Sequence, residues 1–452
     1  LVAVGENERA RIEFIRSAIN DHKESKEYRI ASEARLYFNR ENPTINHYQK
    51  LLYDMQGRAH VDIWAANHKL ASSFFRMAVT QKVSYLLANG ATFSKEETKN
   101  ALPVDFDQKL TKAARYAKIG GVSYGFWDLE DIHIFSILEF APLLDEEDGA
   151  LKAGIRFWQV AQDKPLRATL YEMDGFTEYF QPSGEDMVVM QPKRSYKLIE
   201  RKAEVGETEI FDGGNYPGFP IIPLKNDEER LSELVGRKNT IDALDLAASN
   251  MVNNVDEGNL IYWVLSNCAG MDDLDDARFI ERLKTTHVAH ANGDDGARAD
   301  AHTIEAPYEG TKATIEMLEE KLYSDFMCLN TKAIAAGSQT ATAIKARYAD
   351  LDLDTDYFEE QVIDFVTGLF KIAGIDDKPT FTRNRDINAL ENAQTLSVLA
   401  PYFDDEYMTK KALDINGDGD QYEDMAKRKA AEEIDRSLAE PVAPGVNGDG
   451  EQ

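Results

Sequence analysis

The sequence predicts an α+β chain, on three observations. Apolar residues recur at helical spacing over the first ~118 residues, change to short period-two runs between 122 and 222, and return to helical spacing from 227 onward. The 452 residues are 43 % hydrophobic and 29 % charged, a globular composition, and the length allows about three ordinary domains.

Taken in order, a first helix is expected over 7–20, with Ile12, Phe14, Ile15 and Ile19 on one face. Asn67 is placed to cap a second helix, which runs from Leu70 through Phe74, Phe75, Met77, Ala78, Val83 and Leu86 to Leu87 and stops at Asn89-Gly90. Ser94 before Glu96-Glu97 marks another start, and 107–119 a further helix ended by Gly120-Gly121. Strands are then expected at 126–127, 132–138, 155–160, 168–173, 176–180, 187–190 and 196–199, separated by turn signals at 146–149, 174–175 and 183–186. This antiparallel region closes in the Pro- and Gly-rich stretch 215–223.

Residues 228–254 hold no proline and one glycine, with Leu231, Leu234, Val235, Ile241, Leu244, Ala248, Met251 and Val252 at helical steps. Such a helix spans about 40 Å and far exceeds the usual three turns, so it needs lateral partners and oligomerisation is expected. A second long helix is expected over 312–336, with Ile315, Leu318, Leu322, Phe326 and Leu329 on one face. The insert between them, 258–308, reads as strand 260–265, helix 274–283, strand 286–290, acidic Gly-rich loop 292–296 and strand 302–306. After 337–342 a helix runs to Gly374, a further helical segment covers about 386–436, and the Pro- and Gly-rich tail 438–452 is expected to be disordered.

Charge and composition exclude several classes. With 51 Lys+Arg against 80 Asp+Glu, the net charge is −29, the wrong sign for a binder that grips many phosphates. No run approaches a membrane span of roughly 18–20 apolar residues. The two cysteines, Cys268 and Cys328, are expected as reduced thiols from a reducing compartment. No charged region followed by an apolar one and a small-residue cleavage site follows Leu1, so no secretory signal is expected.

The catalytic and metal motifs all fall short. Gly121-Val122-Ser123-Tyr124-Gly125 matches a nucleophile elbow, but that elbow needs strand, turn, helix; here a helix precedes and a strand follows. There is no G-x-x-x-x-G-K-[ST] phosphate loop. His287 and His290 point to opposite faces of a strand, and with His302 they lack the carboxylates or thiolates of a tetrahedral set. Asp414, Asn416 and Asp418, with Gly419, open like a calcium loop, but its twelfth position is Met425 instead of Glu. An acidic helix N-terminus is the better reading there, and no metal or cofactor is expected.

Dispersed segments carry a resemblance. They are Asn67-His68-Lys69-Leu70 with Val83-Ser84-Tyr85-Leu86-Leu87-Ala88-Asn89-Gly90, then Ala113-Ala114-Arg115-Tyr116 leading to Gly120-Gly121-Val122-Ser123-Tyr124. Next come Pro220-Ile221-Ile222-Pro223-Leu224-Lys225-Asn226 with Ser232-Glu233-Leu234, Ile241-Asp242-Ala243-Leu244-Asp245 and Ser249-Asn250. The last is Gln339-Thr340-Ala341-Thr342-Ala343-Ile344-Lys345. In order and spacing, over 45–375, these resemble the portal proteins of tailed bacteriophages, in particular the family from long-tailed phages of Gram-positive hosts. One departure is Ala88-Asn89-Gly90-Ala91 where that family often shows Gly-Asn-Pro.

The resemblance implies a non-enzymatic ring, a dodecamer in the virion, assembled in the bacterial cytoplasm. It would conduct double-stranded DNA at the capsid vertex. Its implied partners are the terminase, the head–tail adaptor, and the major capsid and scaffolding proteins, with no membrane. The implied parts are a wing (1–225, helical to 118 and β-rich from 119), stem helices 226–257 and 311–336 and a clip 258–310. A tunnel loop with its following wing helix (337–375), a crown (376–436) and a tail (437–452) complete it. DNA-facing residues would be Gln339, Thr340, Thr342, Lys345 and Arg347; clip-interface residues Ile261, Trp263 and Phe279. The apolar faces assign stem packing to Leu244, Met251, Ile315, Leu318, Leu322 and Phe326. Two rival readings stay open: another head–tail ring component, and a DNA-processing enzyme with an unrecognised site.

Overall fold

The computed structural model describes residues 7–53, 56–62, 65–161, 163–202, 208–258, 261–266, 298–303, 308–331, 341–384, 396–398, 400–416, 422 and 425–428. Two compact units divide the chain: Leu1–Asn330 with Ala349–Asn384, and Thr331–Tyr348 with Arg385–Gln452.

In the first unit, Asn7 caps helix α1 (Glu8–Glu24), its side chain accepting from the Ala10 amide. Ser25 ends α1 and caps α2 (Lys26–Phe38) by accepting from the Tyr28 amide. Helix α3 (Pro43–His47) and a hairpin, β1 (Leu51–Tyr53) with β2 (Ala59–Val61), follow. Then come α4 (Phe74–Leu87), β3 (Ala91–Thr92), α5 (Glu96–Ala101) and α6 (Phe106–Gly120).

The expected β region is present as β4 (Val122–Trp127), β5 (Ile132–Ser136), β6 (Phe140–Leu144), β7 (Leu151–Trp158), β8 (Leu166–Glu172), β9 (Gly175–Gln181), β10 (Val188–Arg194), β11 (Leu198–Lys202), β12 (Thr208–Asp212) and β13 (Ile221–Lys225). A five-stranded antiparallel sheet has the order β10-β9-β8-β7-β6, and a three-stranded one the order β13-β4-β5. Ile15 and Ile19 of α1 are buried against Ile155, Phe157 and Leu170 of the larger sheet, which is what their helical spacing is for.

The long helices are α7 (Lys238–Gly258), α8 (Tyr308–Asp325) and α9 (Ala341–Ala373), with the antiparallel pair β14 (Ile261–Ser266) and β15 (Arg298–Thr303) between the first two. Strand β16 (Thr380–Phe381) pairs with β3. The main core joins α4, α6, α7, α8 and α9 through Phe75, Val83, Leu110, Leu244, Leu322 and Phe365, with Phe326 just beyond α8. In the second unit a short 3-10 turn, Ala400–Tyr402, precedes α10 (Asp405–Asn416).

Several expectations are corrected. Asn67 does not open a helix: α4 starts at Phe74, and 67–72 runs extended along α7. The amides of His68, Leu70 and Ser72 donate to the side chains of Asn253 (2.6 Å), Ser249 (2.9 Å) and Asp245 (3.0 Å). Two residues of extended chain rise about 6.6 Å and one i,i+4 step of helix about 6 Å, so the two ladders match closely. The helix start expected after Ser94 is present as α5, although the Ser94 hydroxyl donates to Asp377 and does not cap it.

The first long helix begins at Lys238, not at 226–228, because the preceding segment is spent on the end of α6. Gly121 takes φ +87°, and a Cβ there would lie 2.0 Å from the Arg230 carbonyl oxygen. Arg230 (φ +59°) and Gly236 (φ +79°) break the helical path, and Ser232 donates to the Ile119 carbonyl.

The second long helix ends at Asp325, not at 336. Met327 sits at φ +52°, with its amide on Ser324 O and the Cys328 amide on Tyr323 O, the bond pair of a Schellman stop made without glycine. The strand expected at 302–306 lies at 298–303, where it pairs residue by residue with β14.

Candidate functional site

The fold concentrates its unusual chemistry where α7 and α8 meet the helical body. Leu244 is buried and Met251 half-buried on α7; Leu322 and the following Phe326 are fully buried, and Ile315 and Leu318 are packed at the core's edge. The Phe326 ring lies 5.6 Å from Phe74 and 6.1 Å from Phe75, with the Arg237 guanidinium 5.0 Å from its centroid. Arg237 Nε also donates to the Asp325 carbonyl (2.6 Å), a cation on the negative end of α8.

Beneath this lies a buried charge cluster. Lys82 Nζ of α4 is 3.1 Å from Glu233 and 2.9 Å from Asp354. Lys118 Nζ of α6 is 2.9 Å from Glu233 and 3.4 Å from Asp354, and 4.2 Å from the Phe358 ring centroid. Arg237 reaches Glu233 at 3.0 Å. The Lys82, Lys118 and Glu233 side chains are only 1 %, 3 % and 4 % exposed, so each charge depends on its partners.

Burial opposes ionisation of Glu233, but Lys118, Lys82 and Arg237 outweigh it and hold its carboxyl well below the usual range. Burial likewise opposes the Lys82 charge, and Glu233 and Asp354 outweigh it, raising the ammonium's pKa. Burial pushes the neighbouring Cys328 thiol up to about 12, so it stays protonated and unreactive at neutral pH. The cluster pins α4, α6, the 226–237 turn, the start of α7 and the middle of α9 to one another.

Sequence reasoning missed this cluster. The available signal was a lysine inside an apolar stripe: Lys82 between Val79, Val83 and Leu86, and Lys118 beside Ala114, Ala117 and Ile119.

The other candidates separate cleanly. Thr342, Lys345 and Arg347 lie on the first turns of α9. Ile261 and Trp263 lie on β14, opposite Thr303 and Ala301. Gln339, Thr340, Phe279, Asp418, Cys268, His287 and His290 are outside the described residues. Asp414 and Asn416 lie in the last turn of α10, and 417–421, the rest of the acidic stretch, are outside the described residues. Among the described residues no group of three or more His, Cys, Asp or Glu is placed to hold a metal ion.

Ser123 is buried with its hydroxyl donated to the Ala113 carbonyl (2.8 Å), and a Cβ at Gly125 would lie 2.5 Å from the Phe365 ring. The G-x-S-x-G stretch is therefore a packed helix-to-strand corner.

Compared with known proteins, residues 17–435 match the family model described as "Phage portal protein, SPP1 Gp6-like". The portal protein of Bacillus phage SPP1 is 26 % identical over 333 residues, 70 % of this chain and 63 % of that protein. The portal protein of Clostridium phage phiCD119 is 25 % identical over 186 residues, 39 % of this chain and 41 % of that protein. The chain thus spans less than two thirds of the length of these relatives.

Proposed function

We propose, from the premise that this chain belongs to the SPP1 Gp6-like family of phage portal proteins, that its copies form a ring-shaped DNA conduit at the capsid vertex. The ring, probed below for twelve-fold order, docks the terminase and later the tail adaptor, against the major capsid and scaffolding proteins. It assembles in the bacterial cytoplasm and remains in the virion. Among the described residues no helix is long and apolar enough to cross a membrane. The portal family is structural, and we assign the chain no catalytic role.

The observation that carries this reading is the pair α7 and α8, packed together and joined through a segment holding the antiparallel β14–β15 pair. These elements suit a stem and a clip; 1–225 suits a wing, 337–375 a tunnel loop with its following helix, and 376–436 a crown. The net charge of −29 fits a wall along which DNA slides, since like charge prevents adhesion.

Lys345 and Arg347 are then the cations that touch passing phosphates. Lys345→Glu with Arg347→Glu is expected to leave ring assembly normal while impairing DNA packaging or retention, measured as nuclease-protected DNA per procapsid. Parental packaging by the double variant contradicts the assignment.

A further inference from the structure

On the first unit, α2, α6 and the end of β5 line a half-open pocket of about 250 Å³ that the portal reading does not use. Its lining is mixed, with Ala31, Phe38, Ile137 and Leu138 on the apolar side and Asn39 and Ser136 among the polar residues. Gly120 lets α6 pack closely on one wall, since a Cβ there would lie 2.9 Å from the Ile137 side chain. Arg35 and Arg115 stand on it from two different helices. Both are exposed, and neither forms an ion pair with a described carboxylate, although the chain carries 80 Asp and Glu. Ser136 also lines the cavity; it is 5 % exposed, and its buried hydroxyl has no hydrogen-bond partner.

An unsatisfied buried hydroxyl is costly and needs explanation. The two guanidiniums lining the same pocket, of which Arg115 lies 6.0 Å from the Tyr116 ring centroid, are fork-shaped donors suited to carboxylates. The volume is below that of a typical small-molecule site but takes a single large apolar side chain. A DNA duplex presents phosphates, and its small thymine methyls in the major groove do not project far enough to fill such a space.

We propose that this cavity is a docking pocket for an acidic peptide segment of a partner protein. An aliphatic or aromatic side chain of the segment fills the cavity, an adjacent Asp or Glu takes Arg35 and Arg115, and a peptide group pairs with the Ser136 hydroxyl. The inference is independent of the channel reading, because none of these residues belongs to the long helices or the insert.

The test is selection from a library of random displayed short peptides on the full chain, with counter-selection on Arg35→Glu/Arg115→Glu. The expected result is enrichment of peptides with a large apolar residue next to Asp or Glu. Their affinity falls at least tenfold in the charge-reversed variant and with Arg35→Gln/Arg115→Gln, and severalfold with Ser136→Ala. The Gln pair keeps the side-chain stems, so it decides the matter if charge reversal impairs folding.

Three outcomes overturn the proposal: no enrichment over the variant, enriched peptides without acidic residues, or affinities unchanged by the arginine variants. A labelled DNA duplex that binds with the same arginine dependence while no peptide is enriched also overturns it, in favour of a phosphate site.

Discussion

Glu233→Gln is expected to destabilise the fold by about 3–5 kcal/mol, because removing one partner leaves buried charges uncompensated. Glutamine keeps the shape but cannot balance Lys82, Lys118 and Arg237. Thermal melting of the variant against the parent measures it. Glu229→Gln, at an exposed position of the same turn, should change stability by less than about 0.5 kcal/mol.

The pH dependence has a definite sign. The Glu233 carboxyl titrates lower in the folded chain than in the unfolded one, so its contribution is present above the ordinary value of ~4.3 and is lost as pH falls through the lowered folded value. The gap between parent and Glu233→Gln should therefore narrow on acidification below about pH 4. A gap that is constant down to the lowest pH argues against a charged Glu233.

Leu322→Ala is expected to cost about 2–5 kcal/mol, since Leu322 is fully buried in the main core and its loss leaves a cavity. Lys321→Ala, one residue away, removes an exposed side chain paired with Asp325 at 2.9 Å and should cost at most about 1 kcal/mol. Melting curves of both variants separate the two faces of α8. Equal effects mean that the facing is wrong.

Much of this layout is legible in sequence because it rests on local chemistry. Helical and period-two spacing locate α1, α6 and most strands of the β region, and Gly120-Gly121 marks the corner into β4 because only glycine accepts that backbone beside Arg230. What is not legible depends on distant partners. Extended 67–72 looks helical because the groups that claim its amides are 173–185 residues further along the chain. Strands β6 and β12 and the β1–β2 hairpin lack a strong alternating signal of their own. The end of α8 is hidden because a methionine, not a glycine, takes the left-handed position. Apart from Glu233 and Arg237, four residues apart, the charge cluster pairs residues separated by 115 to 272 positions, which no spacing rule joins. Its only trace is two lysines in apolar stripes.

The ring is the central claim, and electron microscopy of the purified full chain tests it most directly. Class averages viewed end-on are predicted to show a closed ring with a central hole wide enough for duplex DNA and a fixed rotational order of twelve in virion-derived material. Monodisperse single subunits, or compact particles without a hole at concentrations where assembly is complete, would contradict the account.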